Sequence, residues 1–409
     1  MARRALIMIE GASNSLRYAQ AAKRLGLDPI VLSANPSQND YLAAEEGEAI
    51  RVDTDNLDEL VSECSRLRAS YEISGITSAS ESAYVTVGKL CRHFDLPGPN
   101  PESIAQCCDK FTQRQLLAKA GVPIPAYSLA ANAMEIESAA TKIGMPVVVK
   151  PAVGIGSVGV RLCRSLDELA EHTTYLLGEK RIWRSSPRIL VEEFAQGPQY
   201  CAEIMGNELV WIGSGDYGPP PHFVYHKWSY PALLTDDEHK RIADASLSCL
   251  PALGLGWGPT NIELRWTKRG PVVIEVNPRL AGSPTPQLVE LAYGIDLITE
   301  HIKLVIGDRC KLRKRHSHAA AARFLVADRD GTIDWIDGDS QAAAIQGVTE
   351  VKFYVKPKTP IARKGDYRDC LGYIIAASAT HAQTETILQR AVELINWSIT
   401  PFPTVGEKE

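Results

Sequence analysis

The chain has 409 residues, a length typical of two or three domains, and 45% of its residues are hydrophobic, which is enough to fill packed cores. Its formal net charge of −5 gives no general attraction to nucleic acid or to an anionic membrane, so we expect neither as a partner. The nine cysteines show no CxxC spacing, and no apolar run is long enough to cross a membrane. These features predict a cytoplasmic protein in a reducing compartment.

Residues 1–100 alternate short apolar strands with helical segments. The strands are predicted at Ala5–Ile9, Pro29–Leu32, Ala49–Val52 and Ile73–Thr77, and the helices at Ser15–Leu25, Leu57–Leu67 and Ser82–His93. This alternation predicts a doubly wound parallel sheet, which binds ligands beyond the carboxyl ends of its strands. Glu10, Ser80 and Glu81 would lie there. Glu81 is interpreted either as a ligand for a substrate ammonium group or as a charge that caps the following helix.

A Pro/Gly/Asn-rich stretch at residues 96–101 ends this pattern and marks a domain boundary. One continuous helix is predicted from about Pro101 to Ala120, and a second from Pro286 to Val305. From Val147 onward the chain is rich in predicted strands, which is typical of an α+β segment. The last hundred residues are predicted to form a smaller α+β unit.

Residues 146–160, PVVVKPAVGIGSVGV, combine a strand, a lysine and a glycine-rich loop. The glycines match GxGxxG, but that dinucleotide-binding motif requires a helix directly after the loop, and here the strand-like run 160–163 follows. Glycines also let a flexible loop bring backbone N–H groups against phosphate oxygens. We therefore interpret the segment as a flap that covers phosphates. Lys150 is interpreted as a phosphate ligand, the alternative being a solvated strand end.

Residues 260–277, TNIELRWTKRGPVVIEVN, are predicted to form a β-hairpin with a three-residue loop that pairs Thr267 with Pro271. This register places Glu263 opposite Glu275 on one face of the sheet. Two facing carboxylates destabilise a sheet unless a cation lies between them, and a set of oxygen ligands favours magnesium. The hairpin therefore predicts a metal site, the alternative being a solvated face.

The same register places Asn261 opposite Asn277 on that face. Arg279 follows two residues later, and its forked guanidinium suits a transferring phosphate or a carboxylate. A solvated arginine after a strand is the alternative. On the other face, a buried apolar row is predicted from Ile262, Leu264, Val272, Ile274 and Val276.

The order and spacing of these segments resemble those of the ATP-grasp superfamily from about residue 5 to residue 305. The segment EVNPRLAGSPTPQLVELAYGIDL, which begins at Glu275, resembles L-amino-acid ligases that form dipeptides. The resemblance implies an α/β and α+β architecture, the ATP-grasp fold. Its parts would be a doubly wound domain at 1–100, a linking helix at 101–125, a flap subdomain at 126–195, a central antiparallel-sheet subdomain that binds metal at 196–308, and a C-terminal α+β subdomain at 309–409.

The resemblance also implies the nucleotide site. Its residues would be Lys110, Lys150, Gly154, Gly156, Ser157, Gly159, Glu192, Glu193, Phe194, Ala195 and Gln199. In the run 191–199, Glu192 and the Glu193 carbonyl would receive the adenine amino group, and the Ala195 N–H would donate to the ring. The family usually has Glu where this chain has Gln199, which is an uncharged acceptor for a ribose hydroxyl.

The metal ligands implied by the resemblance are Glu263, Glu275 and Asn277, which would hold two magnesium ions, with manganese as an alternative. Arg279, Lys150 and Lys110 would be the catalytic residues. The implied reaction is an ATP-dependent ligation of a carboxylate to an amine, with small-molecule amino acids as the expected substrates. A homodimer is compatible with the resemblance. The alternatives are an ATP-dependent carboxylase of the biotin-carboxylase-like branch and a nucleotide-binding subunit without catalysis.

A Pro- and aromatic-rich stretch at residues 217–231 is predicted to be a rigid loop that forms a wall of the substrate site. His222 or His226 would orient a carboxylate or an amine there, and a surface loop without contacts is the alternative. The other candidate substrate residues are Glu81, Trp228 and Gly282.

Overall fold

The structure is a computed structural model that describes residues 3–11, 13–39, 41–178 and 187–403. Within these ranges the chain forms four β-sheets and the helices that cover them. The strands are β1 Arg3–Ile9, β2 Asp28–Ser33, β3 Glu48–Arg51, β4 Tyr71–Thr77, β5 Tyr127–Ala130, β6 Val147–Pro151, β7 Arg161–Cys163, β8 Ile189–Glu193, β9 Gln199–Met205, β10 Glu208–Tyr217, β11 Tyr225–Tyr230, β12 Pro259–Thr267, β13 Gly270–Asn277, β14 Ala319–Val326, β15 Gly331–Asp337, β16 Val348–Phe353, β17 Pro360–Ile361, β18 Cys370–Ser378 and β19 Asn396–Thr400.

The α-helices of the described ranges connect these strands. They are α1 Ser15–Arg24, α2 Tyr41–Ala44, α3 Leu57–Leu67, α4 Tyr84–His93, α5 Pro101–Cys108, α6 Lys110–Lys119, α7 Ala133–Ile143, α8 Leu166–Gly178, α9 Asp236–Leu253, α10 Thr285–Tyr293, α11 Leu297–Val305, α12 Asp339–Ala343 and α13 His381–Val392. In the described parts of the chain, no helix has the length and apolar character needed to span a membrane.

The N-terminal sheet is parallel and has the strand order β3-β2-β1-β4. Its central strand β1 is a continuous apolar run because both faces of the sheet are covered. Leu6 and Met8 pack with α1 and α11, whereas Ala5, Ile7 and Ile9 pack with α3 and α4. The predicted doubly wound parallel sheet is thus confirmed.

The flap is a four-stranded sheet of order β5-β8-β6-β7, and its strand pairs are antiparallel. Helices α7 and α8 pack on the sheet through Ile136, Ala140, Leu169 and Leu176. The glycine-rich loop lies between β6 and β7, two adjacent antiparallel strands, so it is the end of a hairpin and does not open a helix.

The largest sheet has eight strands in the order β13-β12-β9-β10-β11-β14-β18-β16. The sheet crosses the predicted subdomain boundary at residue 308, because β11 pairs with β14. The pairing runs from Lys227 opposite Arg323 to Tyr230 opposite Ala320. Helix α9, which the sequence pattern did not reveal, buries Ile242, Cys249 and Leu253 against β9, β12 and β13. The C-terminal segment therefore extends the central sheet, and β17-β15-β19 form a small sheet beside it.

Two helices predicted to be continuous are each broken. Asp109 separates α5 from α6 in an extended conformation, and its side chain caps α6 by accepting from the Thr112 N–H at 2.8 Å. Gly294, with φ of +72°, ends α10, and Asp296 caps α11 through the Thr299 N–H. A short polar side chain that satisfies free helix N–H groups makes a new helix start favourable at both positions.

Candidate active site

A cleft of about 910 Å³ lies between the flap and the central sheet. Most of the residues predicted to bind nucleotide or metal line it. They are Lys110, Lys150, Gly154, Gly156, Ser157, Glu192, Glu193, Phe194, Ala195, Gln199, Glu263, Glu275, Asn277 and Arg279. Gly159 lies outside this lining, against Pro151, and its carbonyl contacts His172 Nε2 at 3.0 Å.

Helix α6 attaches one wall of the cleft to the edge strand β13. Lys110 Nζ lies 3.0 Å from Glu275 Oε1, and Gln113 exchanges hydrogen bonds with both the N–H and the carbonyl of Val276. Arg114 donates to the Ile274 carbonyl. These residues occupy positions i, i+3 and i+4 of the helix and so share one face. Gln113 and Arg114 were not predicted as site residues, although polar side chains at this helical spacing are a sequence signal that could have revealed them.

A buried charge cluster forms the floor of the cleft. The Glu192 carboxylate lies 2.5 Å from Arg114 Nε and 2.5 Å from Lys150 Nζ. Burial opposes ionisation of Glu192, but Arg114 and Lys150 outweigh it and lower the pKa of the carboxyl. Burial lowers the pKa of Lys150, although Glu192 opposes the shift. The predicted adenine ligand Glu192 therefore holds a phosphate-ligand candidate, Lys150, in place, and its contact with adenine stays a prediction.

The predicted facing pair is present: Glu263 lies opposite Glu275, and Asn261 opposite Asn277. The predicted loop register is wrong, however, because Thr267 pairs with Gly270 and only Lys268 and Arg269 form the turn. A bulge between Glu263 and Leu264 places an extra residue, Ile274, in β13 and restores the pairing.

The bulge also changes which apolar side chain of β13 is buried. Leu264 pairs with Val273, and Val273 packs in the core beside Ile262. Ile274, which was predicted to lie in that row, instead lines the cleft. Bulges commonly redirect a side chain next to a functional site.

The two facing carboxylates have different electrostatic environments. Burial and the nearby Glu275 charge raise the pKa of Glu263 to about 7. Burial opposes ionisation of Glu275 as well, but Lys110 and Lys150 outweigh it and lower the pKa of that carboxyl. Gln199 Nε2 and the Tyr217 hydroxyl each donate to Glu263 Oε2 at 3.2 Å.

These residues fit a divalent cation. Burial and the facing Glu275 charge both raise the pKa of Glu263, so a cation between the two carboxylates would favour their ionised forms, and Asn277 adds an amide oxygen. In the described ranges, no cluster of three or more His, Cys, Asp or Glu residues could hold a metal ion. The hairpin thus supplies an incomplete oxygen set, which leaves positions for phosphate and water, as magnesium sites usually do.

Arg279 connects the hairpin to the N-terminal domain. Its Nε donates to Glu81 Oε2 at 2.7 Å, and its Nη1 donates to the Leu280 carbonyl. The Glu81 carboxylate is thus used in an ion pair with Arg279, and it also lies in the first turn of a short helical segment before α4, so both the ligand and the helix-cap interpretations stay predictions. Gly282 is exposed in the following loop, between buried Ala281 and half-buried Ser283, whose N–H approaches Ser13 Oγ at 3.4 Å.

The flap loop contacts both the linking helix and the C-terminal segment. Lys110 Nζ donates to the Gly154 carbonyl at 2.6 Å. The Tyr367 N–H donates to the Gly156 carbonyl at 3.2 Å, and the Tyr367 ring packs directly on Gly156. Gly156 and Ser157 have φ of +63° and +64°, so the loop makes a left-handed turn that favours glycine.

The end of β8 and the residues that follow it form the rim of the cleft. The Glu193 side chain pairs with Arg269 at 2.8 Å, and the Glu193 backbone N–H donates to the Ala126 carbonyl. The Phe194 ring lies under the Arg265 guanidinium, 5.4 Å from the ring centroid. Ala195 is buried at this rim.

The predicted substrate loop is wrong in its secondary structure, because residues 225–230 form β11 in the middle of the central sheet. A bulge at His226 interrupts its pairing with β10. Trp228 is buried in the core, and His222 packs against Gly365. The described side chains that reach the cleft from this stretch are instead Tyr217, Phe223 and Tyr225. The sequence signal that could have revealed β11 is the aromatic run itself, which favours strands.

Two family models match the chain. The ATP-binding domain of the carbamoyl-phosphate synthase L chain matches residues 109–313, and the L-amino acid ligase C-terminal domain 2 matches residues 323–400. The first match covers half of the chain and contains the cleft. The fold and the site define an ATP-grasp protein, and the chain belongs to the ATP-grasp carboxylate–amine ligase family.

Three proteins illustrate the similarity. The uncharacterized protein y4rH of Sinorhizobium fredii is 60% identical over 408 residues, which is 100% of this chain and 85% of that protein. Carnosine synthase 1 of Mus musculus is 28% identical over 287 residues, 65% of this chain but only 34% of the mouse protein. The crystal structure of L-amino acid ligase from Bacillus licheniformis superposes with a TM-score of 0.83 at 20% identity, covering 98% of this chain and 100% of that one.

Proposed function

We propose that this chain joins two L-amino acids into a dipeptide, using ATP to activate one carboxylate as an acyl phosphate and releasing ADP and phosphate. The observation that carries the proposal is the facing pair Glu263 and Glu275, which shares one cleft with Lys110 and Lys150. Carnosine synthase and L-amino acid ligase among the similar proteins support the coupling of amino acids.

Charge neutralisation is the main task of the cleft residues. Lys110 reaches the flap loop and Lys150 is the penultimate residue of β6, so both ammonium groups would contact ATP phosphates from the flap side. Glu263, Glu275 and Asn277 would hold magnesium, which when bound neutralises charge on the transferring phosphoryl group. The substrate carboxylate would then attack the γ-phosphorus, and ADP would leave.

Arg279 would hold the acyl phosphate and stabilise the tetrahedral intermediate formed when the amine attacks. Its ion-pair partner Glu81 makes this part of the cleft complementary to a zwitterion. The carboxylate of an amino acid would lie near Arg279 and the ammonium group near Glu81. Closure of the flap would exclude the water that otherwise hydrolyses an acyl phosphate.

An ADP-release assay with the purified chain, ATP and Mg²⁺ tests the proposal. The twenty amino acids are supplied singly and in pairs, bicarbonate is supplied in a separate arm, and products are identified by mass spectrometry. Release that requires two amino acids and yields their condensation product supports the proposal. Release that requires bicarbonate would assign the chain to the carboxylases, and absence of release in every arm would favour a nucleotide-binding role.

A further inference from the structure

Glu203 is a buried carboxylate on the central strand β9 that no step of the proposed reaction uses. Only 2% of its surface is exposed. Its Oε1 accepts hydrogen bonds from Asn261 Nδ2 at 2.8 Å, from the Tyr230 hydroxyl at 3.1 Å and from Cys201 Sγ at 3.3 Å. A buried carboxylate is costly unless it is well hydrogen-bonded, and here three donors converge on one oxygen.

The position of Glu203 in the sheet connects it to the predicted metal ligands. In the pairing of β9, β12 and β13, Asn261 lies opposite Glu203 on one side and opposite Asn277 on the other. The neighbouring row has the same form, because Glu263 lies opposite Glu275 on β13. Directly opposed side chains share a face of a sheet. Glu203 therefore continues the row that contains Asn277.

The orientation of the Asn261 amide links Glu203 to the orientation of the Asn277 amide. An amide has one acceptor oxygen and one donor nitrogen. Because Asn261 Nδ2 donates to Glu203, its Oδ1 faces the other way, where Asn277 Nδ2 approaches it at 3.4 Å. Because Asn277 Nδ2 faces Asn261, Asn277 Oδ1 faces the other way and lies 3.5 Å from Arg279 Nη2. The contacts of Asn277 with Asn261 and with Arg279 are long for hydrogen bonds. The 2.8 Å bond between Asn261 and Glu203 is therefore the one that holds the row in its orientation.

We propose that Glu203 is a positioning residue of the active site: it fixes the Asn261 amide, which turns the Asn277 oxygen toward the bound cation and Arg279. With the Asn277 amide reversed, an NH₂ group would face both the cation and the guanidinium, which is a repulsive arrangement. The inference rests on the proposed function for the identity of the cation. Partners that orient a metal ligand typically contribute about 10- to 100-fold in metal affinity.

The test compares two substitutions of similar size. Glu203→Met removes the acceptor, whereas Glu203→Gln keeps an acceptor oxygen for Asn261. The readout is Mn²⁺ binding to the protein with ADP, followed by electron paramagnetic resonance, and metal-free ADP binding is followed by calorimetry. We expect Glu203→Met to weaken Mn²⁺ binding about 10- to 100-fold and Glu203→Gln to restore it to within about 3-fold, with metal-free ADP binding unchanged.

Tyr230→Phe is the matched control, because it removes another donor to the same carboxylate but leaves the Asn261 bond in place. We expect it to lower the melting temperature without changing Mn²⁺ affinity. Asn261→Ala interrupts the row at its middle, so it must reproduce the loss of Mn²⁺ affinity, and it carries the test if Glu203→Met does not fold.

Equal Mn²⁺ affinity in the wild type, Glu203→Met and Asn261→Ala would overturn the positioning role. A loss of the same size in Tyr230→Phe would also overturn it, because it would indicate a general structural effect. If the wild-type protein with ADP binds no Mn²⁺, the proposed function itself fails. These outcomes separate the two proposals, since Mn²⁺ binding does not depend on which amine the chain uses.

Discussion

Lys110 and Glu275 form an ion pair of 3.0 Å that joins the first turn of α6 to the edge strand β13. Burial opposes the charge of Lys110, but Glu275 and Glu81 outweigh it and raise the pKa of the ammonium group. Lys110 also donates to the Gly154 carbonyl, so this single side chain links α6, the β12–β13 hairpin and the flap. The charges of Lys110 and Glu275 should therefore be critical for turnover.

Glu275→Gln should lower kcat for ADP release by at least about 100-fold, the size of effect seen when a group that stabilises transition-state charge is removed. The substitution removes half of the facing carboxylate pair and the partner of Lys110 while keeping the size of the side chain. The coupled ADP-release assay measures the change. Glu385→Gln is the control, because its carboxylate is 54% exposed and pairs only with Lys227 in the described structure. Near-normal activity of Glu275→Gln would refute the metal role.

Arg114→Met should lower the free energy of unfolding by about 3–5 kcal/mol, the range expected when one partner of a buried ion pair is removed. The side chain of Arg114 is fully buried, and its loss leaves the Glu192 carboxylate with Lys150 and deprives the Ile274 carbonyl of a donor. Urea unfolding measures the difference. Arg269→Met breaks the exposed pair with Glu193 and should cost less than about 1 kcal/mol. Equal losses in the two variants would contradict the importance of the buried cluster.

Gly156→Ala should raise the KM for ATP by about 10-fold, because the flap turn would be strained by an amount within the usual 1–3 kcal/mol range. Gly156 has φ of +63°, and an added Cβ would lie 2.4 Å from the Tyr367 ring. Steady-state kinetics at varied ATP concentration measure the effect. The control is Gly178→Ala, where an added Cβ meets no atom of the described structure within 4 Å.

The double variant Gly156→Ala/Tyr367→Ala separates the two sources of strain at the flap. Removing the ring relieves the steric contact but leaves the positive φ. Recovery of the KM would assign the effect to packing against Tyr367, and no recovery would assign it to the backbone conformation. An unchanged KM in Gly156→Ala itself would show that the flap tolerates a side chain at this position.

The stability of the flap should fall as the pH is lowered from 6.5 toward 4. Burial lowers the pKa of His172 to about 4, from an ordinary value of 6.5. A histidine with a depressed pKa in the folded state takes up a proton on unfolding at any pH between its folded and unfolded pKa values. Its contribution to the free energy of unfolding is therefore fully present above pH 6.5 and is lost as the pH falls toward the folded pKa of about 4. The full contribution amounts to about 3 kcal/mol.

His172→Gln removes this titration while keeping a polar group near the Gly159 carbonyl. Urea unfolding of both proteins at several pH values should show a shallower decline for the variant between pH 6.5 and 4. Because burial also lowers the pKa of His301, to about 3, the wild-type curve contains both contributions, and the difference between the curves isolates His172. Parallel curves would contradict the prediction.

Much of the fold could be predicted because it depends on local patterns. The apolar run of β1 and the helices that alternate with it predict a parallel sheet, whatever the rest of the chain does. The facing of Glu263 and Glu275 was predicted correctly even though the turn register was wrong, because the error of one residue at the turn is cancelled by the bulge at Ile274. The bulge itself is held by Arg114 from α6, a contact that no pattern within the hairpin could reveal.

The sequence by itself determined the elements and chemical groups of the cleft: the glycine loop with Lys150, the acidic hairpin, and Arg279 beyond it. Only the tertiary structure decided how these groups are paired. Glu192 is held by Arg114, 78 positions away, and Arg279 by Glu81, 198 positions away. Local patterns follow from backbone geometry within a few residues, whereas a buried charge takes whichever partner the packed elements bring close enough to offset its desolvation.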